Sequence, residues 1–177
     1  MMMSPHRSLL QLYFDLVYNP VFDLTTAQTT PYRRLHAWCL NKLHLEDGDS
    51  LVCIGLGTGN EVVGLLERDC HLDIVGVDVS PVALRRALKK AEKMGRRITT
   101  LTMDAQHLDF PDGCFDKALC IHVMDFVSDN HQATKEIFRV LKTGGEFVIT
   151  YPSGRGTKLG WEIVRSIRSH LGQRRYV

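Results

Sequence analysis

The residues whose type and spacing most clearly suggest a function are three glycines at alternating positions, Gly55, Gly57 and Gly59. They follow the apolar run 51–54, which has the composition of a strand buried on both faces. A helical pattern begins at Glu61, so the glycines lie between a strand and a helix N-terminus. Such a junction lets the backbone turn sharply and offers free N–H groups at the positive end of a helix dipole. It is therefore predicted to hold a small polar or anionic ligand.

Polar residues follow the next predicted strands. Asp78 ends a short apolar strand, Asp104 follows a β-branched strand, and Cys120-Ile121-His122 ends the strand after that. In a parallel sheet, ligands bind outside the carboxyl ends of the strands. These residues and the glycine loop are therefore predicted to converge on one ligand-binding edge.

The elements that position these residues alternate between strands and helices. Strands are predicted over 51–54, 73–78, 98–102, 115–121 and 147–151. Helices are predicted over 61–67, 80–95 and 130–141, the second with Ser80 as N-cap and Gly95 at its end. This alternation favours right-handed crossovers and an α/β fold with a parallel sheet covered on both faces.

Two more helices are predicted before the first strand, in segment 1–47. The first covers 8–18, has Leu9, Leu12, Tyr13 and Leu16 on one face, and is broken by Asn19-Pro20. These helices could cover the sheet, or form a lid over a lipophilic ligand.

Further details are predicted for two helices. The second N-terminal helix starts with Thr30 as N-cap and runs through Leu35, Trp38, Cys39 and Leu43. The 130–141 helix directs Phe138 inward, and Gly144-Gly145 ends it.

The glycine spacing alone leaves two ligands open. A dinucleotide-binding loop requires Gly-x-Gly-x-x-Gly, whereas this chain has Gly-x-Gly-x-Gly followed by Asn60. An acid about 20 residues downstream suits a ribose in either case, so Asp78 does not decide between them.

Several segments in this order resemble the class I S-adenosylmethionine-dependent methyltransferases, particularly those of ubiquinone and menaquinone biosynthesis. The resemblance covers roughly 48–151 and rests on these segments: Ile54-Gly-Leu-Gly-Thr-Gly-Asn60, Val77-Asp-Val-Ser-Pro81, Met103-Asp-Ala-Gln106, Asp109-Phe-Pro111, Phe115-Asp116 and Arg139-Val-Leu-Lys-Thr-Gly-Gly145. It implies a Rossmann-like three-layer sandwich with five parallel strands in the order 3-2-1-4-5.

The resemblance also implies roles for individual residues, with S-adenosylmethionine as cofactor and no metal. The backbone of Gly55, Leu56, Gly57 and Gly59 would lie against the methionine part of the cofactor. Asp78 would accept both ribose hydroxyls, and Asp104 would accept from the adenine amino group. Adenine would also contact Ala105 and Val79, while Cys120 and Ile121 would line the methionyl end.

The chain departs from the family at three places. Cys53 stands where the family usually carries an acid that contacts the cofactor's amino group, and Thr143 stands where proline is common. The family sheet normally continues after the fifth strand, but only 26 residues follow Tyr151, with one amphipathic helix predicted over 161–171. The fifth strand is therefore predicted to be an open edge, which a second copy of the chain could cover.

The catalytic residue is not identified by these patterns. A general base is required only if the acceptor loses a proton, and His122 is the best-placed candidate because imidazole titrates near neutrality. The predicted activity is methyl transfer to a small, lipophilic molecule. A non-catalytic cofactor-binding or scaffold module and an NAD-dependent oxidoreductase remain the alternatives.

Composition limits the other function classes. The 177 residues suit a single domain, and five cysteines without metal-like spacing favour the reducing cytoplasm. The net charge of +2 conceals a basic tail, 152–177, with six Lys or Arg residues and one Glu. Such a tail could meet an anionic membrane, but no aromatic-interleaved basic groove predicts a nucleic-acid partner.

Overall fold

Five parallel strands form the central sheet of the computed structural model, which describes residues 12–25 and 29–151. The strands are β1 Ser50–Ile54, β2 Asp73–Asp78, β3 Thr99–Thr102, β4 Phe115–Cys120 and β5 Leu141–Ile149. Their order is β3-β2-β1-β4-β5. The predicted parallel sheet and its strand order are confirmed.

Helices surround this sheet in the order that the sequence predicts. A π-helical segment, Phe14–Tyr18, leads into α1, and the α-helices are α1 Asn19–Leu24, α2 Thr30–Leu40, α3 Asn60–Leu66, α4 Pro81–Lys93 and α5 Asn130–Val140. Strand β1 supplies Leu51 and Cys53 to one buried cluster and Val52 and Ile54 to another. Because side chains alternate across a strand, these clusters lie on opposite faces of the sheet. Residues of α2, α3 and α4 complete the first cluster and residues of α5 the second, which gives the predicted three layers.

The start of α4 shows the predicted capping. The Ser80 hydroxyl accepts a hydrogen bond from the Ala83 N–H at 3.0 Å, and Pro81 occupies the first helical turn. Gly95 follows the helix with a φ of +69°. Cap, proline and glycine thus agree with the observed boundaries.

The N-terminal helix differs from its prediction, because the chain stays helical through Asn19-Pro20 as far as Leu24. Pro20 lies in the first turn of α1, at the junction of this helix with the π-helical segment. The preceding turn is wider, and the Asn19 N–H bonds to the Phe14 carbonyl. The part of the predicted 8–18 helix before Leu12 lies outside the described residues.

The predicted inward position of Phe138 is wrong, because this side chain is 52% exposed. Leu12 and Leu16, on one face of the predicted N-terminal helix, are 51% and 67% exposed, whereas Phe14 is buried. Trp38 is 56% exposed. Trp38 lies beneath the Lys42 ammonium instead of in the core, with 5.2 Å from Nζ to the ring centroid.

Two boundaries also move. Helix α2 has Thr29 rather than Thr30 as its N-cap, without a side-chain cap bond. Strand β5 begins at Leu141, so Gly144-Gly145 lies within the strand instead of ending α5. A register irregularity in the pairing of β4 with β5 accommodates these glycines. The predicted 161–171 helix lies outside the described residues.

Charged residues in two of the segments that resemble the methyltransferase family, 115–116 and 139–145, stabilise the amino ends of the strands. The Asp116 carboxylate accepts from Ser50 Oγ at 2.6 Å and from Lys142 Nζ at 2.8 Å, which joins β4 to β1 and β5. The Arg139 guanidinium pairs with Glu136 and Asp112 and binds the Leu108 carbonyl. These residues stabilise the fold away from the carboxyl edge.

Candidate cofactor and acceptor site

A cavity of about 350 Å³ opens at the carboxyl edge of the sheet. Nine of the predicted site residues line it: Gly55, Leu56, Gly57, Asp78, Val79, Asp104, Ala105, Ile121 and His122. Gly59 and Cys120 are absent from its lining, although both lie in described segments. The strand ends therefore bring most of the predicted residues together.

Hydrogen bonds within the glycine loop use its own N–H groups. The Gly57 N–H donates to Asp78 Oδ2 at 2.8 Å, and the Gly59 N–H donates to the Leu56 carbonyl at 3.0 Å. The Leu56 N–H donates to the Val77 carbonyl at 2.9 Å. The predicted free N–H groups are therefore wrong at these three positions, because the loop folds back on itself and on β2.

The three glycines are required for different reasons. A Cβ atom at Gly55 would lie 2.2 Å from a Val123 methyl carbon, and one at Gly59 would lie 2.7 Å from the Ala87 Cβ. Gly57 has a φ of +55°, and a Cβ there would meet only the Gly55 carbonyl oxygen, at 3.9 Å. Gly57 is thus the glycine whose open side faces the cavity, whereas Gly59 allows α4 to approach the loop.

Asp78 joins the glycine loop to the start of α4. Besides the Gly57 N–H, its carboxylate accepts from the Ser80 N–H at 2.8 Å. Burial raises the pKa of Asp78, these backbone hydrogen bonds lower it, and the nearby charge of Asp15 raises it. Because a carboxylate has about four acceptor sites, Asp78 keeps acceptor capacity for a ligand besides these backbone bonds.

The predicted adenine side of the cavity is formed after β2 and β3. The Asp104 carboxylate accepts from the backbone and side-chain nitrogens of Gln106, each at 3.0 Å. Gln106 Oε1 then accepts from Ser128 Oγ at 2.7 Å. Val79, 37% exposed, and the buried Ala105 contribute apolar surface. This side can bind a flat apolar group with polar edges.

The end of β4 brings His122 into a stack of rings. Its ring centroid lies 5.4 Å from that of Tyr32 and 5.7 Å from that of His36, both nearly parallel to it. Among the described residues, His122 is the only non-glycine residue with positive φ, at 58°. Burial lowers the pKa of His122, and burial followed by the charge of His122 lowers that of His36 to about 4. Cys120 lies beneath this stack in the core, fully buried.

Aromatic side chains form the wall opposite the strand ends. Phe14, Tyr18 and Phe22 come from the N-terminal helical segments, and Phe126 lies after β4. Tyr18 stacks on Phe22 at 5.3 Å and contacts Phe126 at 5.1 Å between centroids. The N-terminal segment, which was predicted to cover the sheet or to form a lid, thus contributes three aromatic side chains to the cavity lining.

A hydrogen-bonded aspartate fastens this aromatic wall to the glycine loop. Asp23 Oδ1, in α1, accepts from Thr58 Oγ1 at 2.6 Å and from Asn60 Nδ2 at 3.0 Å. Lys90 Nζ donates to the Asn60 side-chain oxygen at 2.8 Å. These hydrogen bonds hold the aromatic wall against the glycine loop.

Glu61 is a functional candidate that sequence analysis missed. It lies in the first turn of α3, lines the cavity and is only 7% exposed. Burial raises its pKa to about 8, its own backbone N–H lowers it, and the charge of Asp78 raises it further. The only sequence signal was an acid directly after the glycine loop, a position that usually faces solvent.

The charges along the cavity favour a cationic or dipolar ligand. Glu61, Asp78 and Asp104 line it, and no lysine or arginine is among the described lining residues. A glycine loop, acids at adjoining strand ends and an aromatic wall define the nucleoside-binding edge of a Rossmann-like domain. This is the class of protein that the fold and the site identify.

Comparison with known proteins narrows this class. Residues 52–149 match the family described as methyltransferase domain. The chain is 29% identical over 116 residues to an uncharacterised methyltransferase of Bacillus subtilis, covering 66% of this chain and 63% of that protein. It is 36% identical over 96 residues to the demethylmenaquinone methyltransferase of Thermus thermophilus, covering 54% of this chain and 44% of that protein.

A solved structure confirms the fold. The geranyl diphosphate C-methyltransferase of Streptomyces coelicolor A3(2), in complex with Mg²⁺, geranyl-S-thiolodiphosphate and S-adenosyl-L-homocysteine, aligns with a TM-score of 0.70. The alignment covers 96% of this chain and 74% of that one at 18% identity.

Since the matched segment exceeds half of the chain, the protein belongs to the family of methyltransferase domains. The cofactor that the sequence predicts for it is S-adenosylmethionine. The chain spans less than two thirds of the length of either curated relative.

The cavity fits this cofactor in charge and shape. S-adenosylmethionine carries a sulfonium and an ammonium group, which suit a lining that contains acids and lacks lysine and arginine among its described residues. The unobstructed side of Gly57 leaves room for close backbone contact.

Proposed function

We propose that this protein transfers the methyl group of S-adenosylmethionine to a small lipophilic molecule. The observation that carries the proposal is the junction of the glycine loop with Asp78, which opens into a cavity closed on its other side by aromatic rings. One half of the cavity thus suits a nucleoside cofactor and the other an apolar acceptor.

The cofactor half is assigned by position. Asp78 binds the ribose hydroxyls, Asp104 and Ala105 bind the adenine edge, and Val79 packs on its face. Gly55, Leu56 and Gly57 meet the methionine part, and Ile121 borders it. These are the assigned residues that line the cavity. Gly59 and Cys120 support this surface from behind, through α4 packing and the core of β4.

The cofactor supplies an activated methyl group on a positively charged sulfur. The protein aligns the acceptor with that group and excludes water, and near-attack alignment can supply on the order of 7–11 kcal/mol in favourable systems. The rings of Phe14, Tyr18 and Phe22 perform this exclusion, because they cover the cavity with apolar surface.

The aromatic wall also favours an apolar acceptor of ring or isoprenoid type. Flat aromatic faces bind apolar groups and other rings without a fixed hydrogen-bond pattern. The demethylmenaquinone methyltransferase relative is named for a quinone precursor, which is compatible with such a wall.

His122 is our candidate base for an acceptor that must lose a proton. It lines the cavity, and its lowered pKa keeps the imidazole neutral and able to accept a proton near neutrality. Its positive φ supports a functional role, since backbone strain is concentrated at functional sites.

An oxidoreductase with a dinucleotide cofactor is disfavoured by the same loop. A pyrophosphate requires free N–H groups at the helix N-terminus, but those of Gly57 and Gly59 are already bonded. The buried Glu61 would also place a carboxyl group beside the phosphates.

We also propose the cellular context and partners. All five cysteines are free thiols, which supports a reducing compartment such as the cytoplasm. In the described part of the chain, no helix is both long and apolar enough to cross a membrane. The basic tail supports peripheral contact with an anionic membrane. The outer side of β5, with which no described strand pairs, supports a second copy as partner. No nucleic-acid partner is proposed.

Binding measurements test this function. We expect S-adenosylhomocysteine to bind in calorimetry and NADH not to bind. Asp78→Asn should weaken the binding of S-adenosylhomocysteine by about 1.5–3 kcal/mol, the contribution of hydrogen bonds to a charged group. Asp73→Asn, an exposed acid at the other end of β2, is the matched control and should bind normally.

Failure of the wild-type protein to bind S-adenosylhomocysteine would refute the proposed function. Equal affinity in Asp78→Asn and the wild type would refute only the ribose assignment. Circular dichroism of both variants establishes that they are folded.

A further inference from the structure

Glu61 lies in the first turn of α3, lines the cavity and is only 7% exposed. Burial, followed by the charge of Glu61, raises the pKa of the Cys53 thiol well above its usual value and that of Cys120 to about 12. The same two causes raise the pKa of Tyr32. The carboxyl group therefore lies within electrostatic range of the ends of β1 and β4 and of the ring of Tyr32 in α2.

Among the described residues, the end of β1 carries a thiol instead of an acid. Cys53 is 1% exposed, and its raised pKa keeps the thiol neutral. Asp78 bonds the Gly57 and Ser80 N–H groups and is assigned to the ribose, and Asp23 bonds Thr58 and Asn60. Glu61 is thus the acid available to a cation bound at the glycine loop.

We propose that Glu61 provides the carboxylate that binds the ammonium group at the methionyl end of S-adenosylmethionine, and that its carboxyl group releases a proton to solvent as the cofactor binds. This inference rests on the proposed function and adds the group that recognises the amino-acid part of the cofactor.

The proton release follows from burial without a strong cationic partner. The ionisable groups that surround Glu61 are Asp23 in α1, Tyr32 in α2, Cys53 in β1, Asp78 in β2, Lys90 in α4 and Cys120 in β4. The acids oppose ionisation of Glu61 and Lys90 favours it, but Lys90 is hydrogen-bonded to Asn60. With a pKa of about 8, the carboxyl group is mostly protonated near neutrality. A bound ammonium group would favour the carboxylate and lower this pKa.

Calorimetry in buffers of different ionisation enthalpy measures this proton directly. We expect S-adenosylhomocysteine, which has the ammonium group, to release close to one proton from the wild-type protein near pH 7. Methylthioadenosine, which lacks the amino-acid part, should release none. Because a proton is released, affinity for S-adenosylhomocysteine should rise between about pH 6 and about pH 8, whereas that for methylthioadenosine should stay constant.

Glu61→Gln tests the residue itself. This variant should abolish the proton release and lower the affinity for S-adenosylhomocysteine about tenfold or more. Its affinity for methylthioadenosine should be unchanged. Glu67→Gln, at the exposed C-terminal end of the same helix, is the matched control and should behave as the wild type.

The outcomes separate this inference from the proposed function. If neither nucleoside binds the wild-type protein, both are refuted. If both nucleosides bind but S-adenosylhomocysteine releases no proton, or Glu61→Gln binds it normally, the assignment of Glu61 is refuted and the proposed function stands. The proton count on the wild-type protein does not depend on whether the variant folds.

Discussion

Gly59 lies where the glycine loop passes α4, and its requirement is steric as well as conformational. Its φ is +76°, a region that disfavours side chains, and an added Cβ would approach the Ala87 Cα to 3.0 Å. Because Ala87 is fully buried in the core, it has no space into which to move. A larger residue at position 59 must therefore displace α4 from the loop.

We expect Gly59→Ala to lower the free energy of unfolding by about 2 kcal/mol or more, from backbone strain and overpacking together. Gly48→Ala is the matched control. Gly48 has a similar φ of +85°, but an added Cβ there meets nothing within 4 Å. The control should therefore lose only about 1 kcal/mol. Urea denaturation measures both, and equal losses would contradict the packing role of Gly59.

The residues at the strand ends were largely predictable, whereas Glu61 was not. Asp78 and Asp104 were found because each follows a strand, and parallel strands end on one edge. Glu61 is an exception to a general rule. An acid in the first turn of a helix normally faces solvent, where it interacts favourably with the helix dipole. Its burial results from the N-terminal segments folding over α3, a long-range effect without a local pattern.

At the scale of elements, α1 is held across the cavity by Asp23. The two hydrogen bonds from Thr58 and Asn60 join α1 to the glycine loop. Outward from the cavity, this helical stretch exposes Val17, Val21 and Leu24 by half or more. Local opening of the segment should therefore depend strongly on the Asp23 contacts.

Asp23→Ala should make the amides of residues 12–24 exchange hydrogen roughly tenfold faster or more, since charged hydrogen bonds contribute about 1.5–3 kcal/mol. Asp23→Asn keeps an oxygen that can accept both bonds and serves as the matched control. Hydrogen exchange followed by mass spectrometry compares the two variants. If exchange is equally fast in both variants, the effect comes from the charge of Asp23 and not from its hydrogen bonds. If exchange in Asp23→Ala is unchanged, the Asp23 contacts do not hold α1 in place.

Helix existence was more predictable than helix orientation. The Ser80 cap and Gly95 end identified α4 because they are local signals. Phe138 was expected inward from apolar spacing, yet it is 52% exposed. Apolar spacing identifies the face of a helix on which a large ring lies. Whether that ring is buried depends on the element that packs against that face. Phe138 lies against Phe147 of β5, with 4.7 Å between centroids.

At the scale of the whole molecule, alternation of elements predicted a parallel sheet, but the strand order came from the resemblance to a family. Right-handed crossovers allow more than one order, and no single segment distinguishes them. The ordered set of motifs distinguished the possible strand orders, because it identifies the strand that carries the glycine loop and the strands that follow it in the family fold.

This order leaves β3 and β5 at the two edges of the described sheet. Beside β5, Phe138 is 52% exposed and Phe147 is 41% exposed. No described strand pairs with the outer side of β5, and an unpaired strand edge beside exposed aromatic rings favours pairing with another chain.

We therefore expect the protein to be a dimer through β5, with a mass in light scattering twice that of the chain. Phe147→Glu should yield a monomer, because it places a charge in the aromatic patch that the second copy would cover. Leu101→Glu is the matched control, since Leu101 is 37% exposed on β3, at the opposite edge, and should leave the dimer intact. A monomeric wild-type protein, or a dimer lost only in Leu101→Glu, would contradict association through β5.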